Sequence, residues 1–74
     1  MLPPAEIRVL NRLTVLAVDM ALNGYPAEGY TCLLEGSWRA NDLHVAGAPW
    51  GMELTGHYRE ALNAYAERYS VARE

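Results

Sequence analysis

Seventy-four residues allow one small domain, 1–74, and the single cysteine, Cys32, leaves no disulfide to staple it. A monomer of this size buries only about 60% of its unfolded surface, so oligomerisation or a bound group is expected to complete its stability. A net charge of −3, with six arginines spread along the chain and no lysine, argues against nucleic acid as a partner, because phosphate binding needs clustered cations.

Pro3 and Pro4 suit a first helical turn, and Glu6 suits the positive end of the helix dipole. The first helix is expected over 4–22. At about 100° of turn per residue, Arg8, Asn11, Arg12, Asp19 and Asn23 share one arc, which Val15 and Leu22 interrupt. The rest of the circumference is almost wholly apolar, from Ile7 and Val9 through Leu13, Leu16 and Val18 to Met20 and Ala21. Helices that are apolar nearly all round are buried centrally. The reading is a central first helix, flanked by two neighbours and walled on its remaining side by a second copy, with Leu13, Leu16, Val18 and Met20 at the interface.

Asn23-Gly24 supplies a left-handed stop, and Pro26 opens a second helix over 26–43. So short a connection predicts an antiparallel hairpin. Tyr30, Leu33, Leu34 and Trp38 form the second helix's apolar stripe, while Gly29, Cys32, Gly36 and Ala40 place small side chains along one line. Each glycine inside a helix costs about 1 kcal/mol relative to alanine. Close approach of another helix would compensate, which puts Gly29 and Gly36 among the expected contact residues; the alternative is a helix broken at Gly36. Cys32 reads as a small buried hydrophobe, with a reactive thiol as the lesser alternative.

The stretch 10–40, with its Asn-Gly-Tyr turn at 23–25 and the Ala-Glu-Gly-Tyr opening at 27–30, resembles a tetratricopeptide-type hairpin. In that family a small residue stands three positions after the turn tyrosine. Here Glu28 holds that place and Gly29 follows it, and the early Trp and Leu-Gly signature is absent. What the resemblance implies is hairpin geometry, without membership of the family.

His44 to Pro49 is expected to be a loop, and Pro49 to open a third helix over 49–70, beyond which the last residues, including Arg73 and Glu74, would fray. Trp50, Leu54, Tyr58, Ala61, Leu62, Tyr65 and Tyr69 recur at helical spacing. No segment carries the alternation of a strand. The fold class is therefore all-α, a small three-helix bundle made of a hairpin, 4–43, and a C-terminal helix.

Neither histidine sits in a catalytic or zinc motif, and no glycine-rich phosphate loop is present. An enzyme is the less favoured reading, and no cofactor is expected. Glu53, His57 and Glu60 share a helix face at i, i+4 and i+7, a pattern that could ligate a divalent metal and that equally suits a solvated face. Five tyrosines, two tryptophans and no phenylalanine give every ring a polar handle, which suits an interface or a half-buried core.

Three functional readings follow. The first is a self-associating structural or interaction module, a homodimer. The second is a small bundle that binds a metal or ligand. The third is an adaptor or antitoxin-like regulator binding a larger protein through Tyr58, Tyr65 and Tyr69. The opening residues lack a basic stretch and cleavage site, and the apolar run 13–22 contains Asp19 and falls short of the roughly 20 residues that span a bilayer. The expected setting is the cytoplasm. Arginine without lysine is compatible with a high-GC bacterial genome.

Overall fold

The computed structural model describes residues 1–72. Three helices account for nearly all of them: α1 (Pro4–Leu22), α2 (Pro26–Val45) and α3 (Gly51–Tyr69). No strand occurs among the described residues. The expected bounds of α1 hold. α2 runs two residues past Leu43, and α3 starts at Gly51 because Pro49 and Trp50 form the turn that precedes it, closed by the Gly51 amide donating to the Ala48 carbonyl at 3.0 Å. Arg73 and Glu74 lie outside the described residues.

Both connections use one device. After α1 the Tyr25 amide donates to the Met20 carbonyl and the Gly24 amide to the Ala21 carbonyl; after α2, Ala48 and Gly47 donate likewise to Leu43 and His44. This is the Schellman pattern, which needs a left-handed residue after the cap. Gly24 (φ 94°) and Gly47 (φ 100°) supply it without steric cost.

The central helix is α2, not α1. α1 and α3 each pack along the length of α2 and touch each other little, so the three helices form an open, curved layer measuring 37 × 23 × 15 Å. The expectation of a central α1 fails for a physical reason. A helix is central when neighbours can approach it on two sides, and the small-residue line of α2 permits that approach. Gly29, Gly36 and Ala40 are all buried, and α2 continues unbroken through Gly36.

Opposite those small residues α3 places large ones. Tyr65 lies over Gly29 and Tyr58 over Gly36, so each step of seven along α2 meets a step of seven back along the antiparallel α3. At the next step the sizes reverse, with Gly51 against the His44 backbone. The Tyr65 hydroxyl, passing over Gly29, lies 2.8 Å from the Pro26 carbonyl and 3.1 Å from that of Ala17, tying all three helices at one point. Two apolar clusters result. One joins Ala17, Leu33, Leu62 and Tyr65; the other joins Leu2, Ala40, Leu54 and Tyr58.

Glu6 does more than face a helix dipole. It is buried, and it accepts two hydrogen bonds from Arg39, at 2.7 and 3.0 Å, closing the N-terminal end of α1 onto the C-terminal half of α2. These bonds hold the Glu6 carboxyl below its ordinary pKa, against the opposing effect of burial. The stabilisation is therefore present above the unfolded glutamate value of about 4.3 and lost as pH falls through the depressed folded value. Arg39 is half exposed, which limits the pair to about 1 kcal/mol. Thermal melts of wild type and Glu6→Gln are expected to differ by roughly 4–8 °C at neutral pH and to converge in acid. A constant gap across pH would mean that the pair is not the source.

Candidate functional site

α1 and α3 run parallel on either side of α2, and the trough between them is the most apolar concavity of the fold. Thr14 and Val18 of α1 form one wall of its middle stretch, Ala61 and Ala64 of α3 the other, and Leu33 of α2 the floor. Towards the start of both helices the depression continues past Ile7 and Leu10, opposite Glu53 and His57. The far end is bounded by Arg68 and Tyr69.

On α3 the residues facing the trough, His57, Ala61, Ala64 and Arg68, recur at spacings of four, three and four. That period keeps one seam along a helix. Small residues occupy its middle and polar ones its ends. On α1, Ile7, Asn11, Val15, Val18 and Leu22 form a stripe along its outward side, of which Val15 and Leu22 remain 67% and 75% exposed. Ile7 and Leu16 are also exposed. α1 thus keeps apolar surface in water because only one of its sides is used by α2.

The charged groups of the trough sit at opposite ends. Glu53 lies 3.8 Å from the N-terminal amine and 3.8 Å from His57 Nε2, both loose and exposed contacts. Arg68 Nε donates to the Tyr69 hydroxyl at 3.2 Å, and its guanidinium lies 5.7 Å from the centre of that ring.

The structure separates the residues proposed from sequence into two groups. Leu13, Val18, Met20 and Tyr69 are half-buried and Leu16 is exposed, so these have surface to offer. Gly29, Gly36, Tyr58 and Tyr65 are buried inside the chain, where they mate with one another across the α2–α3 contact. Of the three tyrosines, Tyr58 and Tyr65 are thus occupied within the chain, and Tyr69 keeps surface. Burial raises the pKa of both Tyr58 and Tyr65.

Glu53, His57 and Glu60 do not gather around a common point. Glu53 and Glu60 stand two turns apart, about 10 Å of helix rise, and among the described residues no three His, Cys, Asp or Glu side chains are placed to hold a metal ion. Glu53 and His57 make the ordinary i, i+4 pair. Cys32 is half-buried, and burial raises its pKa, which disfavours the reactive thiolate.

Some surface residues escaped the sequence reading. Arg68 closes one end of the trough, and Ala64 lines its middle beside Ala61, which the helical spacing of the third segment already places on its apolar stripe. Trp38 was assigned to the apolar stripe of α2 but is 58% exposed, on the side of α2 away from α1.

Compared with family models, with curated proteins and with solved structures, the chain matches none. No helix among the described residues is long and apolar enough to cross a membrane.

Proposed function

We propose that the chain is a self-associating helical module whose role is structural or interactive rather than catalytic. The observation that carries this reading is the wet apolar stripe of α1. Val15 and Leu22 are exposed hydrophobes on one side of one helix, continuous with the Ile7 and Val18 wall of the trough. Contiguous apolar surface of this kind marks interaction sites on small proteins. A C2 dimer would bury the same patch on both copies.

Sedimentation equilibrium or light scattering at micromolar concentration tests the reading, with a mass of twice the 8.2 kDa chain as the expected result. The melting temperature should rise with protein concentration, because association stabilises only the folded state. Val15→Lys and Leu22→Lys alter exposed side chains, so each should leave helix content intact while lowering the associated fraction at least about tenfold. A monomer at every accessible concentration, with melting independent of dilution, would refute the proposal.

A further inference from the structure

A second groove follows the α2–α3 contact on the side of α3 turned away from the trough, since Arg59 stands about 200° around the helix from His57. Two depressions form it, and they share Asn41, Thr55 and Arg59. One continues to Ser37 and Trp38, the other to His44 and Met52. Along α3 the groove runs from Met52 to Leu62, about 15 Å by helix rise. An extended segment of about four or five residues covers that length, at about 3.3 Å each. We propose that this groove is a docking site for an acidic, extended segment of another protein, with a carboxylate of that segment on Arg59 and an apolar side chain on Trp38. The proposal goes beyond self-association and does not rest on it.

The chemistry of the lining selects that occupant. The chain carries a net charge of −3, yet no Asp or Glu lines either depression, and Arg59 takes part in no ion pair among the described residues. A guanidinium without a competing acid favours an anion, and its planar fork fits a carboxylate or a phosphate. Two hydroxyls decide between these. Ser37 and Thr55 each donate to a carbonyl of their own helix, at 2.7 and 2.8 Å, so what each oxygen still offers is an acceptor. Acceptors repel the oxygens of a phosphate but receive the backbone N–H groups of a peptide. The Asn41 side-chain amide has no hydrogen-bond partner among the described residues and supplies both a donor and an acceptor. Trp38 and Met52 are 58% and 70% exposed, and both are residue types enriched at interfaces. Among the described residues no second ring stacks on the Trp38 indole and no cation lies over it, so its face is open to an apolar side chain.

Selection of random phage-displayed peptides against the full chain tests the proposal. The enriched sequences should carry Asp or Glu close to a large apolar residue. The tightest of them, made as a synthetic peptide, should bind at least about tenfold more weakly to Arg59→Glu and to Trp38→Ala. Both positions are exposed, so helix content should not change. Replacing the peptide's acid by lysine should weaken binding to the wild type and recover it against Arg59→Glu. In a titration followed by NMR, the Trp38 indole N–H and the Asn41 side-chain amide should shift, while Ala61 and Ala64 in the trough should not. A selection that enriches nothing, or enriches sequences without acidic residues, overturns the proposal. So does a peptide that binds Arg59→Glu as well as it binds the wild type, or that shifts the trough instead. If Trp38→Ala or Arg59→Glu abolishes self-association, a second copy occupies the groove and the proposal fails, whereas a wild type that stays monomeric removes self-association and leaves the groove standing.

Discussion

Gly29→Ala is expected to lower the melting temperature by on the order of 10 °C, although alanine is the better helix former. An added Cβ at this position would run into the Tyr65 hydroxyl and approach the Ala17 carbonyl oxygen to 2.5 Å. The carbonyl belongs to the backbone of α1 and cannot turn aside, so α1 and α2 must separate or Tyr65 must leave its hydrogen bonds. Overpacking of this sort costs about 3 kcal/mol, against about 1 kcal/mol gained in helix propensity. The net loss of about 2 kcal/mol converts to the stated shift for a domain of this size. Gly36→Ala should lose less. Its Cβ would meet Tyr58 Cε1 at 2.6 Å and Leu13 Cδ1 at 2.7 Å, and the leucine can rotate even though the ring cannot. Gly56→Ala should go the other way and stabilise by about 0.5–1 kcal/mol, because nothing lies within 4 Å of its added atom. Thermal melts at one fixed protein concentration make the comparison. Equal effects at all three glycines would mean that propensity, and not interhelical approach, sets their cost.

That series also marks what could be read in the sequence and what could not. The bounds of α1 and the start of α2 were legible because they are local: Pro4 and Pro26 start helices, and Gly24 stops α1 through positive φ, whereas the end of α2 and the start of α3 each lie two residues beyond the expected 43 and 49, with Gly47 supplying the second left-handed stop. The small-residue line of α2 and the tyrosine series of α3 were each visible from spacing alone. Their mutual fit was not, since it depends on the antiparallel register of two segments joined by a turn. Read separately, the glycines point to the approach of some other helix and the tyrosines to an interface or a half-buried core, with nothing to join the two. The choice of α1 as central came from weighing oil around its circumference, whereas two buried glycines decide which helix two neighbours can approach. Glu6 illustrates the same limit. Its place near a helix start suggested a dipole role, and its partner Arg39 lies 33 residues away. The trough was illegible for a different reason: a gap between α1 and α3 exists only because both are held by α2.

Tyr58 and Tyr65 occupy equivalent positions over the two glycines, yet removal of their hydroxyls should act in opposite directions. Tyr65→Phe takes away a group that lies 2.8 Å from the Pro26 carbonyl and 3.1 Å from the Ala17 carbonyl, at a point where three helices meet. A loss of about 1–2 kcal/mol is expected. The Tyr58 hydroxyl is fully buried and has no hydrogen-bond partner among the described residues. Burying such a group unmade costs about 1–3 kcal/mol, so Tyr58→Phe, which keeps the ring over Gly36, should stabilise by about 1 kcal/mol. Chemical denaturation at fixed protein concentration reads both. Unchanged slopes with midpoints moving apart would show that packing of the rings is retained and that only the hydroxyls differ. If Tyr58→Phe instead destabilises as much as Tyr65→Phe, the Tyr58 hydroxyl must be satisfied in solution. The nearby Glu6–Arg39 pair is then the place to look, since both of its charges act on the Tyr58 hydroxyl. Repeating Tyr58→Phe in the Glu6→Gln background would decide it: a penalty that disappears there assigns the hydroxyl's partner to Glu6, and one that persists assigns it elsewhere.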